Sequence, residues 1–151
     1  MNIKKKNKFW QEKNLAEMNQ QEWEALCDRC GRCCLNKLED IDDGQFYYTD
    51  VACALFDKNT HGCKDYQNRQ AKVPGCVKLS RDNIYKIKWL PSTCAYRLLL
   101  EKKPLPAWHP LLSGTYQSVI RAGIAVGDRV YCERDILEQD LEEHVIDWVT
   151  T

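Results

Sequence analysis

The chain has 151 residues, and its 22 lysine and arginine residues balance 22 aspartate and glutamate residues, so the formal net charge is zero. A neutral chain lacks the positive charge that a large nucleic-acid footprint requires, and we expect no nucleic-acid partner. The longest apolar runs are only a few residues long, far below the roughly 20 residues that span a bilayer, and we expect no membrane segment.

The N-terminus is basic and polar. Residues 1–8 contain four lysines and no apolar anchor, and they predict a flexible tail. The sequence Phe9-Trp10-Gln11-Glu12-Lys13 follows where a signal peptide would have an apolar region. We therefore expect a cytoplasmic protein in a reducing compartment, with one domain over residues 9–151.

Helix and strand signals alternate in the first third of the chain. Asn19 and Glu22 have the spacing of a capping box, which predicts a helix over residues 20–26. The turn Asp42-Asp43-Gly44 lies between segments 35–40 and 45–51 and predicts a β-hairpin. The return strand would carry the residues after position 51 back towards the end of that helix.

Short elements are also predicted in the second half of the chain. Capping residues and apolar spacing predict helices over residues 80–89, 93–102, 115–122 and 140–149, and a strand or hairpin over residues 124–131. The fold class is therefore predicted as α+β, a small single domain in which short helices and a β-hairpin surround a cysteine-rich centre.

Nine cysteines are far more than packing requires. Eight of them precede position 95, namely Cys27, Cys30, Cys33, Cys34, Cys53, Cys63, Cys76 and Cys94. Thiolates bind soft and borderline metals well, and two-residue spacers let successive sulfurs reach one ion at about 2.3 Å. The pattern predicts a metal centre with these eight cysteines as candidate ligands. One pocket is expected to contain the sulfurs of Cys27, Cys30, Cys33 or Cys34, Cys53, Cys63 and Cys76. The ninth, Cys132, is interpreted as a small apolar residue.

The identity of the metal stays open between zinc and iron. Zinc requires four tetrahedral ligands, so eight cysteines could hold two ions or a polynuclear centre, and adjacent Cys33 and Cys34 could serve different metals. The run Cys27, Cys30 and Cys33 also has the spacing of a bacterial ferredoxin run, with a fourth ligand from a distant position. An iron–sulfur cluster is therefore the second interpretation.

The segment Cys27-Asp28-Arg29-Cys30-Gly31-Arg32-Cys33-Cys34 resembles the bacterial CxxCxxCC family, described as zinc- or iron-chelating proteins of uncharacterised function. Cys53, the element Cys63-Lys64-Asp65-Tyr66-Gln67-Asn68-Arg69 and Cys76 are similar to that family's later pattern. Segments 89–97 and 104–110 resemble one branch of it, so the likeness covers nearly the whole chain. Gln70 stands where the family often has proline, which lengthens the loop before Cys76.

The resemblance implies metal binding without an established reaction, substrate or protein partner. Because a thiolate centre is anionic, it requires nearby donors or cations. Arg69 could supply such donors, and Tyr66 could offer its hydroxyl or pack beside the site. His109 and His144 are interpreted as structural or exposed.

No nucleophile–base pair or phosphate loop is present, so no motif indicates catalysis. The sequence predicts a metal-binding protein whose centre is structural or accessory in metal handling. The alternative is a redox or electron-transfer protein that uses iron or an iron–sulfur centre.

Overall fold

The computed structural model describes residues 8–57, 62–64, 68 and 79–151. Short helices and a small mixed sheet make up an α+β fold, so the predicted fold class is confirmed. Cys76, Tyr66, Arg69 and residues 1–7 of the predicted tail lie outside the described residues. Within the described part of the chain, no helix is long and apolar enough to cross a membrane.

Short helical segments lead up to the first cysteine. They are α1 Phe9–Glu12, a 3₁₀ turn Leu15–Glu17 and α2 Gln20–Ala25. The predicted capping box is confirmed, because Asn19 Oδ1 accepts from the Glu22 N–H (2.8 Å) and Glu22 Oε1 accepts from the Asn19 N–H (3.0 Å). Lys13 Nζ donates to the same carboxylate at 2.9 Å. The capping box stabilises the start of α2, and Leu26, the C-cap at its other end, directly precedes Cys27. The helix therefore ends at the first cysteine of the motif.

Asn19→Ala should lower the free energy of unfolding by about 1 kcal/mol, because the Glu22 N–H at the start of α2 loses its side-chain acceptor. The measurement is urea unfolding followed by circular dichroism. Gln21→Ala, at an exposed position of the same helix, is the control and should change stability by less than about 0.5 kcal/mol. Equal effects of the two substitutions would contradict a stabilising role for the cap.

A first hydrophobic core joins the N-terminal helices to helix α3, which covers Ala95–Leu100. Its buried members come from these helices and from the segments before and after α3, and they are Phe9, Trp10, Leu15, Met18, Trp23, Leu26, Ile84, Leu90, Ala95, Tyr96 and Leu105. The Tyr96 hydroxyl donates to the Trp23 carbonyl at 2.7 Å, and the two rings lie 4.7 Å apart. This contact fixes the start of α3 beside the end of α2.

The predicted hairpin is confirmed and belongs to a three-stranded sheet. Strands β1 Leu35–Glu39 and β2 Phe46–Ala52 are antiparallel, and β5 Tyr131–Cys132 pairs with β2 in parallel. A second small sheet joins β3 Phe56–Asp57 to β4 Gly62–Cys63. Both hairpins follow the cysteine motif in the chain, and the first returns the segment after β2 to it, where the Cys53 N–H donates to the Cys34 carbonyl at 2.8 Å.

A second hydrophobic core lies under the larger sheet. Its buried members are Leu35, Tyr48, Ala52, Phe56, Val126, Val130 and Val149. These residues come from the first hairpin, from β3, from residues 126–130 and from the C-terminus, so the core packs the last part of the chain against the sheet.

The helix predicted over residues 140–149 is wrong. A 3₁₀ segment covers Glu138–His144, and the chain then becomes extended: Val145 forms an antiparallel bridge with Thr49, and the Ile146 N–H donates to the Tyr48 carbonyl at 2.9 Å. Backbone groups of β2 thereby gain hydrogen-bond partners from the extended C-terminal segment. A terminal helix could not supply them, because its own backbone groups pair within the helix.

The other predicted elements form in shorter versions. Of the helix predicted over residues 80–89, only the 3₁₀ turn Ile84–Lys86 is present. Helix α3 is shorter than the helix predicted over residues 93–102. The helix predicted over residues 115–122 is present as α5 Gln117–Arg121, and α4 Pro110–Ser113, which lies between α3 and α5, was not predicted. Of the strand region predicted over residues 124–131, only Tyr131 is in a strand, which continues to Cys132.

Candidate metal centre

The CxxCxxCC motif occupies the loop between α2 and β1. Arg29 and Gly31 have left-handed backbone conformations, with φ of 55° and 81°. The Arg29 N–H donates to the Cys27 sulfur. The Arg32 N–H donates to the Cys30 sulfur in the same way. Because N–H donors favour thiolates, each Cys-x-x-Cys step presents a backbone donor to its first sulfur.

Residues from the second half of the chain fix the conformation of the motif. The Cys30 carbonyl accepts from the Val126 N–H at 2.8 Å. Arg32 is buried, its Nε donates to the Ile124 carbonyl at 2.8 Å, and its guanidinium lies 5.8 Å from the centre of the Trp148 ring. Arg32, which the sequence presented only as a charge within the motif, therefore connects the motif to the loop after α5.

Four thiols lie close enough to influence one another electrostatically, namely Cys27, Cys30, Cys33 and Cys94. The first three come from the motif. Cys94 lies at the N-cap position of α3, and the packing of α3 against α2 brings it to the motif from 60 residues away. Charges on four of the eight predicted ligands therefore influence one another's acidity, and their place in one metal centre stays a prediction.

Desolvation dominates the acidity of these thiols. It raises the pKa of Cys27 and of Cys30 well above the usual value, even though Cys27 retains exposed surface. Desolvation also raises the pKa of Cys94 to about 12. The N–H groups of Arg97 and Tyr96 favour the thiolate and oppose this rise, but the Cys94 side chain does not form an N-cap hydrogen bond with α3. A metal that binds here must displace protons, so metal affinity should rise with pH.

Cys33 and Cys34 form an unequal pair. A hydrogen bond from the Cys34 thiol lowers the pKa of Cys33 to about 7, and the same bond raises the pKa of Cys34. Lys37 adds a positive charge that also lowers the pKa of Cys33, and its Nζ donates to the Cys33 carbonyl at 2.9 Å. Within the motif, Cys33 is therefore the thiol best prepared to lose its proton.

The hairpin carries Cys53 back to the motif, as predicted. The Cys53 N–H donates to the Cys34 carbonyl at 2.8 Å, and its charge contributes to the raised pKa of Cys34. Cys63 lies on β4 opposite Phe56. A place for Cys63 among the ligands stays a prediction, and so does one for Cys76, which lies outside the described residues.

Cys132 is half-buried on β5 and pairs with Ala52 of β2. Together with Cys53 it lines a small cavity, which also includes Lys64 and Tyr131. Its interpretation as a residue without a metal role stays a prediction.

Asp28 is a residue of this site that the sequence did not single out. Its side chain is only 5% exposed, and its Oδ1 accepts from the Cys30 N–H at 3.1 Å. Its Oδ2 is buried and has no hydrogen-bond partner among the described residues. Burial raises the pKa of this carboxyl, and its charge acts on the thiols of Cys27, Cys33 and Cys94. A sequence pattern could not reveal this, because burial of a short loop carboxylate depends on tertiary packing.

His109 and Tyr116 hold the motif from the connector that follows α3. His109 is 1% exposed, its Nδ1 accepts from the Leu111 N–H at 3.1 Å, and its Nε2 is therefore the nitrogen that donates to the Leu26 carbonyl at 2.8 Å. Both ring nitrogens are engaged, as expected of a structural histidine. The Tyr116 hydroxyl donates to the Arg29 carbonyl at 2.9 Å.

The donor set suits a thiophilic metal in its chemistry. It combines several thiols, backbone N–H groups directed at two of the sulfurs, and one buried carboxylate oxygen without a partner. Among the described residues, no three His, Cys, Asp or Glu side chains already stand in an arrangement that could hold a metal ion.

Residues 26–95 match a family model described as "CxxCxxCC: Putative zinc- or iron-chelating domain". The matched segment begins at the residue before Cys27 and ends at the residue after Cys94. It therefore contains all eight cysteines that the sequence predicts as ligands.

Whole-chain similarity extends well beyond this segment. A UPF0260 protein of Marinobacter nauticus is 52% identical over 141 residues, covering 93% of this chain and 95% of that protein. A UPF0260 protein of Pseudomonas putida is 53% identical over 138 residues, covering 91% and 92% of the two chains. One of Shewanella pealeana is 49% identical over 140 residues, covering 93% and 94%. No solved structure matches the chain.

Proposed function

Because this chain belongs to the UPF0260 family and contains a zinc- or iron-chelating type of domain, we propose that it binds zinc or iron through a paired or polynuclear cysteine centre. The centre is structural or accessory in metal handling.

The observation that supports the proposal is that Cys94, from the N-cap of α3, lies within electrostatic range of Cys27 and Cys33 of the motif. A disulfide framework does not explain this grouping, since all three are free thiols. Packing does not explain the carboxylate of Asp28 beside the buried Cys30, because a buried carboxylate oxygen without a partner is unfavourable unless a ligand is bound. Together with Cys30, these thiols number four, which is the number that a tetrahedral zinc site uses.

Cys34 and Cys53 support a centre with more than one metal. They lie beside the four thiols but on the sheet side of the motif, where the Cys53 N–H donates to the Cys34 carbonyl. The bond between Cys34 and Cys33 connects the two groups of thiols. Adjacent cysteines at this junction could serve neighbouring ions, as the sequence predicted.

A metal in this position would stabilise the fold by joining distant segments. Ligands from the motif and from the N-cap of α3 would close a loop of about 60 residues between the two segments. The free energy of metal binding would then contribute to the free energy of folding. Free thiols require a reducing compartment, so we propose a cytoplasmic location.

Electron transfer is the second candidate function. Cys27, Cys30 and Cys33 have the spacing of a ferredoxin run, and Cys94, whose acidity Cys33 influences, would serve as the remote fourth ligand. An iron–sulfur centre would supply one-electron chemistry, and Lys37 and the backbone donors at the motif would hold its negative charge.

Metal analysis of anaerobically purified full-length protein tests both candidates. We expect at least one zinc or iron per chain. A colourless sample with stoichiometric zinc supports the structural centre, and brown colour with acid-labile sulfide supports electron transfer. A preparation that contains neither metal, and that takes up neither Zn²⁺ nor Fe²⁺ after reduction of its thiols, would contradict the proposed function.

A further inference from the structure

Asp28 contains a buried oxygen whose position nothing in the fold explains. Its side chain is 95% buried, since only 5% of its surface is exposed, and Oδ2 lacks a hydrogen-bond partner among the described residues. An unsatisfied carboxylate oxygen in the interior costs free energy, so such an atom usually indicates an absent ion or water.

The basic groups nearest this carboxylate are engaged elsewhere. Arg32 donates through Nε to the Ile124 carbonyl, and both ring nitrogens of His109 have backbone partners. The groups that face Asp28 from the motif and from α3 are the thiols of Cys27, Cys30, Cys33 and Cys94. Neither these thiols nor the engaged basic groups give Oδ2 a partner, whereas a metal ion that displaced the thiol protons could bind the sulfurs and Oδ2 together.

We propose that Asp28 Oδ2 is an oxygen ligand of the metal, so that the centre has a mixed sulfur and oxygen donor set. The inference rests on the proposed function and adds to it. Oδ1 holds the Cys30 N–H, which fixes the carboxylate and leaves Oδ2 as the free donor. An oxygen ligand is common for zinc and for mononuclear iron, whereas iron–sulfur clusters are held mainly by cysteine sulfur. The donor set thus favours an ion over an all-thiolate cluster at this position.

X-ray absorption of the zinc-loaded full chain, wild type and Asp28→Asn, tests the assignment. Asparagine keeps the shape and can keep its oxygen on the Cys30 N–H, so that its NH₂ group, which cannot ligate, replaces Oδ2. We expect the wild-type spectrum to contain an oxygen neighbour at about 2.0–2.2 Å besides sulfur at about 2.3 Å. The variant should lose that oxygen, and its zinc affinity, measured by competition with a chromophoric chelator, should fall at least about tenfold.

Asp50→Asn is the matched control. Asp50 is half-buried on β2, where its Oδ1 lies 2.8 Å from His144 Nδ1 in a hydrogen bond. The substitution of Asp50 should leave the absorption spectrum and the zinc affinity unchanged. An all-sulfur wild-type spectrum, or an oxygen neighbour that persists in Asp28→Asn, would overturn the inference while leaving metal binding intact. A wild-type chain that binds no zinc or iron would overturn the proposed function as well. The wild-type spectrum decides the first question even if the variant fails to fold.

Discussion

Gly31→Ala should lower the free energy of unfolding by about 2–5 kcal/mol, the sum of a left-handed backbone cost of roughly 1–2 kcal/mol and an overpacking cost of roughly 1–3 kcal/mol. Gly31 has φ of 81°, and a Cβ placed there would lie 2.7 Å from Phe56 Cε2 and 2.9 Å from Val126 Cγ2. Neither neighbour can retreat easily, because both belong to the second hydrophobic core. Urea unfolding in the presence of a chelator would measure the change without a contribution from bound metal.

Gly44→Ala separates the two causes. Gly44 has φ of 70° in the hairpin turn, and a Cβ there would meet no atom within 4 Å. Its substitution should cost about 1–2 kcal/mol, from the backbone term alone. If both alanine variants lose the same stability, contact between the motif and the second core does not limit the residue at position 31.

Local signals explain the parts of the fold that the sequence predicted well. The capping box of Asn19 and Glu22 and the turn at Gly44 act within a few residues, so their spacing is visible in the sequence. The C-terminus was predicted wrongly because its apolar residues serve distant partners. Val145 bridges to Thr49, which requires extended backbone, although the same residues also have helical spacing.

The candidate site, like the fold, was predictable from the sequence only in part. Cysteine spacing indicated the ligands from the sequence, since the chemistry of thiolates selects that residue type. Asp28 and Tyr116 were missed because their roles depend on burial and on a hydrogen bond to the Arg29 carbonyl across 87 positions. No periodicity encodes such a contact. Local pattern thus indicates which residues can bind a metal, and tertiary packing decides which polar groups accompany them.

Cys30→Ser should lower the affinity for zinc or iron by more than about 100-fold, which exceeds the roughly 10–100-fold loss typical of changes behind the ligands. Cys30 is buried, its sulfur accepts from the Arg32 N–H, and it lies among the interacting thiols. Serine keeps the shape of the side chain but supplies a hydroxyl, which is a poor ligand for a thiophilic metal. Metal content after purification and competition with a chelator would measure the loss.

Cys132→Ser is the control, because Cys132 is half-buried on β5, away from the motif in sequence. It should keep its metal and most of its stability. Thermal unfolding of both variants, with metal and with chelator, distinguishes ligand loss from simple repacking. A ligand variant loses the stabilisation that metal confers and changes little in the chelated state, because only binding to the native state is affected.

The same comparison separates the two candidate functions. If the metal is structural, Cys30→Ser should unfold at a lower temperature than the metal-loaded wild type, since the loop between the motif and α3 loses its cross-link. If the centre serves electron transfer, the variant should keep most of its stability and lose colour or its redox signal. Full metal retention by Cys30→Ser, or an equal metal loss in Cys132→Ser, would remove Cys30 from its assigned place among the ligands.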